Sequence, residues 1–121
     1  MADIIELADQ LGKGIANTSA AQTYRQAREH MNAQPETMKL LQDFMVQSDK
    51  MMKASRDNQP IEVDDKHKLN ELHQSLVSQE AYKAFSAAQV EYFDLMRKVN
   101  EKINSHLSEI EGAAAEPSAE Q

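Results

Sequence analysis

Apolar positions along this chain return every three or four residues through most of its length, the period of an amphipathic helix. The first run sets Ile4, Ala8, Leu11 and Ile15 on one face, with Asp3 before it and Glu6 in the relation of a capping box. Gly12 and Gly14 weaken this helix by roughly 1 kcal/mol each against alanine, so its end is expected to be short or frayed. Ser19 and Gln22 repeat the N-terminal signature, and Ala20, Tyr24, Ala27 and Met31 carry a second helix from Ser19 to about Ala33. Pro35 disfavours helical backbone in the residue before it and suits the first turn of a third helix. There Glu36 meets the positive end of the helix dipole. This third helix places Met38, Leu41, Met45, Ser48 and Met52 on one seam, widened by Leu40, Phe44 and Met51, and runs to about Arg56.

Asp57-Asn58-Gln59-Pro60 is a polar break, and Ile61-Glu62-Val63 continues the connection. Asp64 or Asp65 then caps a fourth helix bearing Leu69, Leu72, Leu76 and Val77, and Ser78 caps a fifth with Glu80 in its first turn. These last two helices need no more than a kink between them. The final stripe reads Phe85, Gln89, Tyr92, Met96, Val99, Ile103, His106 and Ile110 without interruption, broadened by Phe93, Leu95 and Leu107. A helix from Glu80 to Glu111 extends ~48 Å at 1.5 Å per residue. A compact domain of this length has a radius of gyration of only ~14 Å. The helix must therefore project or be covered by a partner, and a partner is the expectation. From Gly112 the chain turns small and acidic, so 112–121 is read as a disordered tail and 1–111 as a single helical domain. The expected fold is all-α: a helical bundle with a long C-terminal helix, completed by oligomerisation.

Composition narrows the function. Hydrophobic residues make up 40% of the 121 but aromatics only 5%, with no Trp and seven Met. Such a core suits helices and lacks the β-branched and aromatic surface of sheets. A net charge of −7 argues against direct, non-specific binding to nucleic acid, since little neutralises phosphates. With no cysteine the chain forms no disulfide and supplies no thiolate ligand or Cys nucleophile. The N-terminus shows no signal-peptide pattern, and no run nears the roughly 20 apolar residues that span a bilayer. A cytoplasmic location, away from membranes, is expected.

Candidate chemistry is sparse. His30, His67, His73 and His106 form neither His-Glu-x-x-His nor the Glu-x-x-His pair of di-iron bundles. Asp64 and His67 lie one turn apart, but two ligands fall short of a metal site and Asp64 already serves as a cap. His106 on the apolar seam reads as a ligand, as a pH switch, or more plainly as a bundle residue or the point where the seam reaches solvent. Gly12-Lys13-Gly14 lacks the strand, the further glycine and the Ser/Thr of a phosphate loop, and reads as a helix-end or close-packing feature. Glu29, Glu36, Glu62, Glu71 and Glu80 lie in polar stretches that solvation explains. No serine sits in a strand-to-helix elbow. No catalytic residue, metal ligand or cofactor is assigned, and the chain is not expected to be an enzyme. Lys50, Lys53 and Arg56 complement the negative end of the third helix; the sharper reading is a docking patch for an acidic partner or RNA. Met38, Met45, Met51 and Met52 read as an adaptable surface or as core, and both hold if the core lies between subunits.

One further pattern joins these parts. A helix with Tyr24 and Ala27 leads to Gln34-Pro35-Glu36, then Leu41, Phe44 and Gln47. Later come Leu76, Ser78, Tyr82, Phe85, Ala88, Leu95 and Val99-Asn100-Glu101-Lys102-Ile103. Across about residues 3 to 110 this resembles the YlbF/YmcA family of small bacterial helical proteins. The family tends to have Asp-Pro-Glu where this chain has Gln34-Pro35-Glu36, and Asn-Pro where it has Ser78-Gln79. The resemblance implies an all-helical fold that dimerises or assembles further, and a regulator of competence, sporulation and biofilm formation. It also implies a complex with a further protein that modulates RNA processing by a membrane-anchored endoribonuclease. Some such complexes hold iron–sulfur clusters on cysteines, and this chain has none to offer.

The resulting expectation is a regulator or adaptor that self-associates and docks on protein partners by presenting helical faces. Its oligomer interface is placed at Tyr92, Met96, Val99, Ile103 and Ile110, with Phe44 and Met45 opposite. Partner docking is placed at Lys50, Lys53 and Arg56. The alternatives are a ligand- or metal-binding bundle, with His73 or His106 near a cavity, and a structural dimer without an RNA link.

Overall fold

A computed structural model describes residues 3–112, and its elements are all helical: α1 Ile4–Ala16, α2 Ser19–Asn32, α3 Pro35–Arg56, α4 Val63–Val77, α5 Glu80–Asn104 and α6 Ser108–Glu111. The acidic tail expected beyond Gly112 lies outside the described residues.

Local chemistry accounts for most boundaries. Asp3 accepts the Ile5 N–H at 3.1 Å while Glu6 accepts the Asp3 N–H at 3.4 Å, closing the expected capping box. α1 then runs unfrayed through both glycines to Ala16, where the Asn17 N–H bonds the Lys13 and Gly14 carbonyls. An Asp9–Lys13 ion pair of 3.2 Å adds one-turn support. The cap of α2 is Thr18 rather than Ser19; its hydroxyl accepts the Ala21 N–H at 3.1 Å. Pro35 opens α3 as expected. The end of α3 is a Schellman closure: Asn58 takes φ 57°, and the Gln59 N–H reaches the Ala54 carbonyl at 2.8 Å.

Two expected caps do other work. Asp64 and Asp65 fall inside the first turn of α4, which starts after Glu62. Ser78 ends α4, its hydroxyl donating to the Ser75 carbonyl at 2.8 Å, and α5 begins after Gln79.

α2 lies along α5 and α3 lies along α4, while α1 with α2, α2 with α3 and α4 with α5 meet only slightly, at their junctions. The molecule is thus a long antiparallel hairpin. Its outward arm is α2 then α3, its return arm α4 then α5, and its tip is residues 57–62. One register holds throughout: Tyr24 faces Tyr92, Thr37 meets Gln79, Phe44 meets His73 and Lys50 meets Asp65. As one arm advances, the other recedes in step. Both arms break at the same level, and there Met31, Thr37, Leu76 and Ala81 are buried. Only Gln47 and Ala88 join them among the described residues, so the core is thin and central.

The last helix is shorter than its apolar stripe predicts. α5 stops at Asn104, residues 105–107 form a tight turn, and α6 is one short helix. The Ser105 hydroxyl donates to the Lys102 carbonyl at 2.7 Å, and the His106 and Leu107 N–H groups reach back three residues instead of four. Asn and Ser side chains compete for backbone partners in this way, and the helix gives out where two stand together.

Candidate interaction surface

The cross-arm contacts differ between the two halves of the hairpin. Between α2 and α5 they are aromatic: Tyr24 stacks on Tyr92 with ring centroids 4.9 Å apart and on Phe85 at 5.5 Å. Between α3 and α4 they are largely polar. The buried Gln47 amide donates to the Asp65 carbonyl at 3.0 Å and to its carboxylate at 3.3 Å, and the Lys50 ammonium reaches the same carboxylate at 3.2 Å. Lys50, then Gln47, hold the Asp65 carboxyl below its usual range. At the shared break the buried Thr37 hydroxyl donates to Gln79 Oε1 at 2.7 Å. Burying a hydroxyl or amide without a partner is costly, so these two polar residues are affordable only because both are bonded. Neither was singled out by apolar spacing.

Gln47 and Thr37 also explain how α3 is turned. Its inward stripe is Thr37, Leu40, Phe44, Gln47, Met51 and Ala54, each buried or half-buried. The stripe of Met38, Leu41, Met45, Ser48 and Met52, expected to be the main seam, lies to one side, with Met45 54% and Met52 57% exposed. Phe44 and Met45 therefore separate: Phe44 turns inward to His73 at 5.7 Å, and Met45 faces solvent.

The expected interface residues of the last helix divide likewise. Tyr92 is half-buried in its stack on Tyr24 within the chain, and Met96 and Val99 are half-buried. Ile103 is 41% exposed, and Ile110, beyond the turn, is 81% exposed. The seam therefore continues past the intramolecular contacts but not as one straight helix. Of the basic cluster, Lys50 is engaged with Asp65, while Lys53 and Arg56 are exposed. His106 lies exposed in the 105–107 turn, and His73 borders an open recess with Phe44, Met51, Lys66, Leu69 and Asn70. Among the described residues no three His, Asp or Glu side chains gather as metal ligands, and no helix is long and apolar enough to cross a membrane.

One surface was not foreseen. α1 buries no residue; Ile4 is 72% exposed, and Ile5, Leu7 and Leu11 are also open to solvent. Gly12 and Gly14 lie against nothing, since a Cβ at either would meet no atom within 4 Å among the described residues. Close packing within the chain is therefore not their role. The signal was present in the sequence as a wide apolar face, but spacing alone does not say whether a face is covered by its own chain.

The same hairpin is found in a solved relative. A chain of the crystal structure of Bacillus subtilis RicA in complex with RicF superposes with a TM-score of 0.72 at 19% identity, covering 91% of this chain and 100% of that one. That likeness establishes the fold. No curated protein matches by sequence. The family model described as control of competence regulator ComK, YlbF/YmcA, matches residues 4–108, nearly all of the described hairpin and α1 with it, and the chain belongs to that family.

Proposed function

We propose that this protein is a non-catalytic regulator that self-associates and docks on protein partners through its exposed helical faces. The observation that carries this reading is the combination of a thin core with apolar surface left open on α1, on the outer side of α3 and at the end of α5. Large exposed apolar faces on a soluble chain mark interaction surfaces. The family's description as a control of competence supports a regulatory role, and RicA's complex with RicF supports a protein partner. Within that role, the family resemblance favours an RNA-processing assembly, with modulation of an endoribonuclease in competence, sporulation or biofilm control. Self-association uses Val99, Ile103 and Ile110 on the last helices, with Met45 on a separate face. Lys53 and Arg56 offer exposed charge to an acidic partner.

Two measurements test the reading. Co-purification from native cells with mass spectrometry is expected to recover a ribonuclease or its accessory proteins; repeated recovery of neither removes the RNA-processing link. Ile103→Asp is expected to lower the molar mass in light scattering at unchanged helical circular dichroism, because a charge would be buried against apolar surface. An unchanged oligomer refutes the placement of the interface.

A further inference from the structure

We infer that α1 of one copy packs on the free end of α5 of a second copy, and reciprocally, so that the open end of the hairpin is its self-association surface. This rests on the self-association proposed above and names the two elements that meet. α1 is 13 residues long and buries none of them. A helix of that length is marginal in water without tertiary packing. The end of α5 has the complementary deficit. In the register that sets Tyr24 on Tyr92, α2 begins at Ser19, so α5 beyond about Arg97 has no α2 residue opposite. Ile103 stands exposed there. α1 spans about 20 Å, enough to cover the bare end of α5 from Lys98 to Asn104, about 10 Å, and the turn after it.

The second copy is favoured as occupant by three features. Both deficits lie at the same end of the hairpin, so one two-fold axis sets each α1 against the partner's α5 and closes the assembly. Charge is also opposite in sign: Asp3, Glu6 and Asp9 outnumber Lys13 on α1 and its cap, while Arg97, Lys98 and Lys102 outnumber by one Asp94 and Glu101, which pair with Arg97 and Lys98 at the end of α5. Pairing α1 with α1 would oppose like charges, whereas α1 with α5 opposes unlike ones. Finally, Gly12 and Gly14 flank the apolar face of α1 and cost helix stability with no contact in the chain to explain them. A helix approaching from another copy gives their missing side chains a use.

The absence of cysteine makes the test direct. Leu11→Cys and Ile103→Cys are made in separate chains of different mass, mixed, and treated with a short bismaleimide. Both positions are exposed, so the hairpin keeps its fold, checked by circular dichroism. The expected result is a mixed cross-linked dimer several-fold more abundant than either like-with-like dimer. Predominant like-with-like products overturn the pairing. So does a cross-link within one chain when both substitutions are combined at high dilution. Absence of any cross-link, while the unaltered chain still self-associates, gives the α1 face to another protein or to residues 113–121 and also overturns it. In those cases self-association itself stands. An unaltered chain that stays monomeric in light scattering removes both.

Discussion

The α2/α5 half of the hairpin is held by rings, and the α3/α4 half by a buried amide and an ion pair. Stacked Tyr24, Phe85 and Tyr92 supply area and tolerate small sideways shifts, because apolar burial is non-directional and rings accept a range of offset arrangements. Gln47 does not tolerate a shift. One residue of slip removes the Asp65 carbonyl and carboxylate from its amide and leaves a buried polar group unpaired. The aromatic half thus contributes strength and the polar half fixes register. Thr37 and Gln79, at the break, tie the one to the other.

That division of labour can be broken from the centre outward. Leu76, 1% exposed at the matched breaks, belongs to neither half alone. Leu76→Ala is expected to cost about 2–5 kcal/mol in urea unfolding, with hydrogen exchange accelerated in both halves. Protection retained in one half would show that the halves are independent. Tyr24→Ala removes two stacks and is expected to cost about 2–3 kcal/mol, with faster exchange concentrated in α2 and α5. Gln47→Ala is expected to cost about 1–2 kcal/mol and to broaden NMR signals across α3 and α4 as register loosens. Sharp signals after that change would deny Gln47 its registering role.

The smallest effect is electrostatic. The Asp65 carboxyl sits below its usual range in the folded chain, so its contribution is complete above the ordinary carboxylate pKa. It is lost as pH falls through the depressed folded value. Lys50→Ala removes the largest cause and is expected to raise the Asp65 pKa by NMR titration and flatten the acid limb of the stability curve. An unmoved titration would mean Gln47 alone holds the carboxylate.

Much of the fold was legible because helix ends announce themselves chemically. Asp3 with Glu6, and Pro35 at the head of α3, gave boundaries that the structure keeps. The face of α3 was misplaced because apolar spacing passes over Thr37 and Gln47, which are polar yet buried through specific partners. The length of the last helix was overread for a related reason: Ile103 and Ile110 keep helical spacing across the Asn104-Ser105 break, where side-chain hydrogen bonding decides. The candidate surface was only half visible. The last stripe carries Ile103 and Ile110 in plain view, but α1 reads in sequence like any amphipathic helix, since covered and uncovered faces have the same periodicity.

The thin core also bears on how the protein's abundance is set. Binding to the folded form alone adds RT ln(1 + [L]/Kd) to apparent stability. With so few residues buried in the single chain, the faces that the proposed self-association would occupy would supply an unusually large share of what keeps it folded. Its melting temperature should then climb with its own concentration, and a chain made in excess of its partners opens more often to proteases. Turnover would act as a stoichiometric gauge, trimming the regulator to the number of assemblies available to receive it.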